Sequence, residues 1–309
     1  MRHTGVMTLL VDTTAVTART DGVVRVTGAD RLSYLHTLLS QDLQHAKPGT
    51  VADFLYLDAK GNALAAGQAV VRSEEVWLVT PREVGADLAT ALDKFRFLLQ
   101  VEAIDATDEL VVASVRGQGQ IDAPGARSQP MTAAPHGAGV VVRRRSGGVD
   151  AIGPADWVSD WVSRLELPQA TAADYQAWRI SAGEPAWGSE IRPGRRAQEL
   201  GLLPTHVHLR KGCYPGQESI AKIYNLGRPR RSLAVIELPA AVEPGAAVEV
   251  EGKTGEVTSV APLGDAFVAL ALLPVDRDGS ILGDGLVVAG GVTGRVRRRV
   301  GEGLPQPGA

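Results

Sequence analysis

Apolar positions in the first hundred residues alternate between the period of a strand and the period of a helix. The apolar run at residues 23–26 predicts a strand, and Asp30 in the turn that follows predicts a helix N-cap. Leucines then recur at helical spacing over residues 32–39, which predicts an amphipathic helix. Two apolar runs that flank residues 58–62 predict a hairpin, and residues 76–79 predict a further strand.

A longer helix is predicted to begin near Thr80. Thr80 and Glu83 have the spacing of a capping box, and Pro81 would occupy the first helical position, where its missing N–H is not needed. Apolar side chains at helical spacing then predict one buried stripe, formed by Val84, Leu88, Leu92, Phe95 and Leu99.

The middle of the chain has weaker patterning. Residues 117–137 are rich in Gly, Pro, Ala, Ser and Gln, which predicts a long loop. Residues 154–167 predict a helix. A second helix is predicted to start at a capping box of Thr171 and Asp174 and to end at Gly183.

Beyond Pro229 the helical pattern disappears. Short β-rich runs separated by Gly, Pro and Asp predict a small antiparallel barrel or sandwich, with a boundary near residues 227–231. The predicted strands are residues 233–238, 247–251, 256–260, 267–273, 286–289 and 292–300.

Composition limits the classes of protein. A chain of 309 residues with 44% hydrophobic and 22% charged residues forms about two globular domains, and its net charge of −3 gives no overall basic field for nucleic acid or membrane. The single cysteine excludes an intramolecular disulfide and is typical of a reducing compartment. No apolar run is long enough to span a bilayer, and the first residues do not read as a signal peptide. We therefore expect a cytoplasmic protein.

The segment from Lys211 to Glu218 carries the most chemical information. It places a cation, a thiol, an aromatic ring, an amide and a carboxylate within eight residues, with glycines and a proline that allow a tight loop. The cation of Lys211 would favour the thiolate form of Cys213, whereas Glu218 would oppose it. The alternative interpretation is a buried turn with an inert cysteine.

This octapeptide, Lys-Gly-Cys-Tyr-x-Gly-Gln-Glu, resembles the signature of the YgfZ family, folate-binding relatives of the glycine-cleavage T-protein. Residues 178–185, 199–202 and 255–259 resemble further family segments. The order of elements in the first sixty residues is also similar, so the resemblance spans nearly the whole chain.

The resemblance implies an α+β fold, a T-protein-like cloverleaf of two α+β portions and a C-terminal antiparallel β-barrel around a central channel that accepts tetrahydrofolate. Residues 1–228 would form the folate-binding region and residues 229–309 the barrel. The implied function is support of the assembly or repair of iron–sulfur proteins, including enzymes of tRNA modification. The implied partners are folate and iron–sulfur client or assembly proteins.

The same resemblance assigns the site residues. Cys213 and Lys211 are the family's functional positions, and we expect an exposed thiol beside the ammonium at the mouth of the channel. The loop around them is shaped by Gly212, Tyr214, Gly216, Gln217 and Glu218. Arg179 is a further candidate at the folate channel, and Trp187 a candidate for stacking on the pterin.

Folate-dependent aminomethyl transfer is the nearest alternative function. T-proteins carry two aspartates at positions that align with Ala65 and Ala66, and a pterin-binding glutamate where this chain has Ser181. A methyl group cannot polarise a folate nitrogen, so we do not expect an active aminomethyltransferase. The change at Ser181 also predicts weaker folate binding.

Other classes rest on charged or metal-ligating side chains. Basic residues around the signature could attract the glutamyl tail of folate, pair with surface acids or, with Tyr224 and the arginines of residues 295–299, bind RNA. His206 and His208 could ligate a metal with Cys213, but such pairs are more often strand-face residues. We expect no bound metal, no direct nucleic-acid binding, no membrane association and a monomer. The basic residues are Arg192, Arg195, Arg196, Arg210, Lys211, Lys222, Arg228, Arg230 and Arg231.

Overall fold

The computed structural model describes residues 9–118, 121–226, 229–276 and 279–304. Within these ranges the chain forms two five-stranded antiparallel sheets and one closed barrel. Two short elements come first, α1 (Leu9–Asp12) and β1 (Ala15–Ala18).

The first sheet contains most of the amino-terminal strands, in the order β3-β4-β5-β2-β6. One of its faces packs against two helices, and Phe54, Leu78 and Leu35 belong to the core between them. The elements are β2 (Asp21–Thr27), α2 (Arg31–Leu38), β3 (Val51–Leu57), β4 (Ala63–Val71), β5 (Glu75–Pro81), α3 (Arg82–Lys94) and β6 (Glu102–Asp105).

The second sheet has the order β1-β7-β10-β9-β8, and its strand β8 lies inside the segment predicted as a long loop. It faces the other side of the first sheet, where Val51, Val70 and Trp77 pack with Val112 and Ile152. Its remaining strands and the helices that follow are β7 (Val111–Arg116), β8 (Thr132–His136), β9 (Gly139–Arg143), β10 (Val149–Gly153), α4 (Ala155–Ser163) and α5 (Ala172–Ala182).

The carboxyl-terminal strands close into the predicted antiparallel barrel, in the order β11-β14-β13-β12-β15-β16. Alternate side chains such as Leu233, Val235, Leu270 and Leu272 point away from the barrel interior and join a core shared with α5. The linking helices are α6 (Leu203–His206) and α7 (Gln217–Leu226). The barrel strands are β11 (Arg231–Leu238), β12 (Ala247–Val250), β13 (Lys253–Leu263), β14 (Ala266–Pro274), β15 (Leu286–Ala289) and β16 (Val292–Arg299). The predicted boundary includes residues 227 and 228, which lie outside the described ranges.

Some of the predicted helix caps form in the structure, and tertiary contacts prevent others. The capping box of Thr171 and Asp174 forms, and Gly183 ends α5 with φ 69°. The predicted box at Thr80 is wrong, because its hydroxyl donates to the Ala66 carbonyl oxygen across the sheet (2.9 Å). Asp30 precedes α2 without capping it, since its carboxylate accepts a hydrogen bond from the Gln100 amide (2.8 Å).

The predicted apolar stripe of α3 is only partly buried. The helix ends at Lys94, so Phe95 and Leu99 lie beyond it with 55% and 41% of their surface exposed. The pattern continued past the helix because apolar residues in the following turn happened to keep its spacing.

Candidate functional site

The signature loop, residues 211–218, lies between α6 and α7 and is fastened to the end of α2 by Lys211. The Lys211 ammonium is buried and donates to the carbonyl oxygens of His36, Leu39 (2.6 Å) and Gln41 (3.2 Å). Carbonyls at a helix C-terminus lack partners within the helix and carry the negative end of its dipole, so a lysine satisfies them well.

Lys211 also has an aromatic neighbour. Its Nζ lies 4.7 Å from the centroid of the buried Tyr214 ring, a cation–π contact. Burial lowers the pKa of Lys211 to about 8 and raises that of Tyr214 to about 12. All three ammonium donors are therefore engaged. The expectation that this ammonium lies beside the Cys213 thiol stays a prediction.

Cys213 is exposed, as is Gly212, although Lys211 and Tyr214 on either side of them are buried. Gly216 has φ +80° and packs so closely on the β3–β4 turn that a Cβ there would lie 2.6 Å from the Asp58 carbonyl oxygen. Gln217 donates weakly to the Lys211 carbonyl oxygen (3.4 Å), and Glu218 is exposed in the first turn of α7. The loop is thus held on two sides while its sulfur faces outward.

A histidine that the sequence did not single out lies under the loop. His36 Nδ1 is 3.0 Å from Asp42 Oδ1, and a Cβ on Gly212 would lie 3.4 Å from His36 Nε2. Burial and then the Lys211 charge lower the pKa of His36, and Asp42 opposes them. No local signal predicted this group, because its neighbours on the loop are about 175 residues away in the chain.

A separate cavity of about 660 Å³ lies where the two sheets, α5 and the end of the barrel meet. This volume is in the range of small-molecule sites. Arg179 and Trp187 line it, whereas Cys213 and Lys211 do not. The lining residues therefore do not confirm the expectation that the thiol lies at the mouth of the channel, and it stays a prediction. The segments that contribute are residues 17–21, 66–68, 144–146, 183–187, 201–206 and 298–304.

Arg179 is a buried brace in the cavity wall. Its guanidinium donates to Glu190 Oε2 (3.1 Å) and Ser259 Oγ (2.8 Å), and Ser259 Oγ also donates to Glu190 Oε1 (2.6 Å). These contacts tie α5 to the barrel. The half-buried Trp187 packs against the cores on both sides of the cavity.

The two alanines aligned with T-protein aspartates point in opposite directions. Ala66 lines the cavity, whereas Ala65 lies in the core under α2 and α3. The Ser181 hydroxyl is buried, has no hydrogen-bond partner among the described residues and does not line the cavity.

Apart from Arg179, the charged side chains that line the cavity were not predicted from the sequence as cavity residues. Arg19 pairs with Asp21 (3.1 Å), and Arg144 lies 3.6 Å from Asp150. Burial lowers the pKa of the His206 imidazole, and the Asp53 carboxylate opposes this shift. Charges of both signs therefore face the same space.

Most of the predicted basic cluster is paired locally and does not form a rim around this cavity. Arg192 and Arg195 both contact Glu256, at 2.8 and 2.5 Å, and Arg231 contacts Glu199 at 3.3 Å. Arg196 donates to the Lys60 carbonyl oxygen. Arg210, Lys222 and Arg230 are exposed, and Arg228 lies outside the described residues.

The arginines of β16 are also engaged. Arg297 pairs with Glu237, Arg298 donates to the Ser181 carbonyl oxygen (3.0 Å) and Arg299 donates to that of Gly279 (2.7 Å).

His206 ends α6 and His208 follows it, so the two do not share a strand face. The described part of the chain contains no group of three His, Cys, Asp or Glu residues that could hold a metal ion. Among the described helices none is both long and apolar enough to cross a membrane.

The fold is that of the glycine-cleavage T-proteins. Aminomethyltransferase T from Bartonella henselae superposes with a TM-score of 0.78, over 94% of this chain and 86% of the other, at 18% sequence identity. The three-part architecture implied by the resemblance, with its six-stranded closed barrel, is thereby confirmed.

Several proteins are similar to this chain in sequence. The chain is 26% identical over 262 residues to a putative chloroplastic transferase of Arabidopsis thaliana, covering 77% of this chain and 59% of the relative. It is 25% identical over 246 residues to the mitochondrial iron–sulfur cluster assembly factor IBA57 homolog of Cryptococcus neoformans, covering 70% and 64%. An uncharacterised protein of Haemophilus influenzae is 23% identical over 254 residues, covering 78% and 82%.

This chain thus spans about three fifths of the length of the first two relatives. No family model matches the sequence. The relatives and the fold together confirm the resemblance to the YgfZ and T-protein group.

Proposed function

We propose that this protein is a tetrahydrofolate-binding accessory protein that supports the assembly or repair of iron–sulfur proteins through its signature loop. The observation that carries the proposal is the arrangement of that loop, in which Lys211 and Tyr214 are buried and the thiol of Cys213 between them is exposed. The IBA57 homolog named above is an iron–sulfur cluster assembly factor, which supports the same role.

A single thiol limits the chemistry that this chain supplies. An iron–sulfur cluster usually takes four protein ligands, so Cys213 would contact iron or sulfur together with groups from a client or assembly protein. The cluster is then cargo and not a resident cofactor. Lys211 acts as a positioning residue, because its bonds to the end of α2 fix the loop without using the sulfur. A reducing cytoplasm, where we place the protein, keeps Cys213 a free thiol.

Tetrahydrofolate, or a derivative, would occupy the central cavity. The cavity has the volume of a small-molecule site, and the Trp187 ring at its wall suits stacking against a pterin. The thiol is not a lining residue of the cavity, so a folate in the cavity and a partner at the thiol would contact different residues. The fit of a folate to the cavity rests on these lining side chains.

Aminomethyl transfer is the second candidate, because aminomethyltransferase T shares the fold. The methyl group of Ala66 faces the cavity and cannot accept or donate a proton. Ala65 faces the helices, so it cannot supply a proton-transfer group to the cavity either. The proposal therefore favours binding without transfer.

Complementation tests the proposal. A strain that lacks its iron–sulfur maturation factor would receive the wild type, Cys213→Ala or Ser163→Ala, a matched control at an exposed residue of α4. We expect Cys213→Ala to fold normally and to lose complementation, and Ser163→Ala to complement fully. Full complementation by Cys213→Ala would remove the role of the thiol.

Calorimetric titration with tetrahydrofolate, run beside an aminomethyl-transfer assay, tests the cavity. Binding without transfer supports the proposal, and transfer supports the enzyme. If neither binding nor transfer occurs, the remaining candidates are a scaffold and an RNA-binding protein. In the same titration we expect Trp187→Ala to bind about tenfold more weakly, since stacking on a base-like ring contributes about 1–3 kcal/mol. Unchanged affinity would remove the stacking role.

A further inference from the structure

Two polar side chains lie between apolar neighbours on the strands β3 and β4 of the first sheet. Asp53 on β3 and Gln68 on β4 are direct register partners, and Gln68 Nε2 donates to Asp53 Oδ1 (3.1 Å). Only 9% of Asp53 and 3% of Gln68 are exposed.

The neighbouring positions on this face are apolar in both directions along the strands. Two residues before Asp53 lies Val51, paired with Val70 in the core between the sheets. Two residues after it lies Leu55, paired with Ala66 in the core beside the barrel. Apolar residues at Asp53 and Gln68 would join these two cores, so a carboxylate and an amide here are not required by packing.

The protein satisfies only part of the Asp53 carboxylate. Oδ1 accepts the hydrogen bond from Gln68, whereas Oδ2 has Arg145 at 3.6 Å among the described residues. That distance exceeds a hydrogen bond, and the Arg145 side chain is 43% exposed. Because 12% of the Asp53 side chain is exposed and the residue lines the cavity, Oδ2 can accept a further hydrogen bond from a donor in the cavity.

Both side chains line the central cavity. Asp53 and Gln68 can therefore offer acceptor oxygens to a ligand in the cavity. Ala66, two residues before Gln68 on β4, also lines this wall and has a small side chain. A carboxylate pairs best with two adjacent N–H donors on a planar group, because it can accept both at once.

We propose that Asp53, held in place by Gln68, binds the donor edge of a heterocycle in the cavity, the ring N–H and adjacent amino group of the 2-amino-4-oxopyrimidine ring of a reduced pteridine. This inference rests on the proposed binding of folate. It assigns ring recognition to the first sheet, and it gives Asp53 a role that pairing with Arg145 alone would not.

The test compares two ligands and three proteins by calorimetric titration. The ligands are 5-formyltetrahydrofolate and its analogue with the 2-amino group replaced by methyl. The proteins are the wild type, Asp53→Asn and Asp108→Asn. The last is a matched control at an exposed carboxylate that does not line the cavity.

The wild type should bind the parent ligand about 10- to 100-fold more tightly than the analogue, the range expected for a buried hydrogen bond to a charged group. Asp53→Asn should lose most of this discrimination, and Asp108→Asn should keep it. Discrimination below about threefold in the wild type, or undiminished discrimination in Asp53→Asn, overturns the inference while folate binding stands. A wild type that binds neither ligand overturns both. The wild-type comparison decides the matter even if Asp53→Asn fails to fold.

Discussion

The signature loop and the central cavity use buried charge in opposite ways. In the loop the Lys211 ammonium donates all its hydrogen bonds to carbonyl oxygens at the end of α2. The reactive group, the Cys213 thiol, is exposed. In the cavity the charged side chains face open space, and Asp53 keeps an oxygen with no donor at hydrogen-bond distance among the described residues. The loop thus uses charge to position a single atom, whereas the cavity offers charge to a ligand.

The hairpin of β3 and β4 belongs to both regions. Its turn supports Gly216 of the loop, and its strands carry Asp53 and Gln68 into the cavity. The two regions therefore share one hairpin, although the thiol does not line the cavity. Substitutions in the signature loop should change stability, and substitutions at the open side of the cavity should change ligand affinity. Measuring both properties tests this difference.

The largest loss of stability is expected at Arg179. Its buried charge, like that of Lys211, is engaged in contacts within the protein. Arg179→Met leaves Glu190 buried without its cation, and breaking such a pair costs about 3–5 kcal/mol in the free energy of unfolding. Arg192→Met, which breaks an exposed pair with Glu256, should cost less than about 1 kcal/mol. Denaturant unfolding measures both. An Arg179→Met protein of normal stability but weak folate affinity would make Arg179 a ligand contact instead of a brace.

A smaller loss is expected at Lys211. Lys211→Met leaves the buried carbonyls of His36 and Leu39 without a donor, which should cost about 2–3 kcal/mol of unfolding free energy. Lys222→Met on the exposed side of α7 should stay within about 0.5 kcal/mol of the wild type. Equal stability of the two variants would contradict the anchoring role, and the thiol reactivity of Cys213 in each would show whether the loop has moved.

The smallest effect is the pH dependence of that anchor. The folded pKa of Lys211, about 8, is below the ordinary value of 10.5, because burial disfavours the charged form. Between these two values the unfolded chain binds more protons than the folded one, so the Lys211 contribution to stability rises with pH. The difference in unfolding free energy between the wild type and Lys211→Met should therefore grow from pH 8 to pH 10.5. A flat or falling difference would show that the lysine is not desolvated.

The accuracy of the sequence predictions followed the range of the interactions behind them. The capping box of Thr171 and Asp174 formed because both partners lie within one turn. The box at Thr80 failed because an acceptor on the neighbouring strand competed for the hydroxyl. The short β-rich runs of the last eighty residues predicted a barrel or a sandwich, and only the pairing of distant strands closed them into a barrel.

For the candidate site as well, the sequence indicated short-range features but not long-range contacts. The signature marked an exposed thiol in a tight loop, and Gly216 confirms the need for positive φ in that turn. The spacing of two residues between Lys211 and Cys213 suggested that the cation serves the sulfur. The cation instead serves α2, because burial makes three carbonyls a better partner than an exposed thiol.

Local order along the chain by itself determined the types of most elements and the position of the only thiol. Tertiary structure alone decided the closure of the barrel, where the Lys211 charge is neutralised, that the thiol does not line the cavity, and that Asp53 meets Gln68 on a cavity wall. The physical reason is that helix and strand periodicity depend on near neighbours. The partner of a buried charge is set by whichever distant segment folding brings within 3 Å of it.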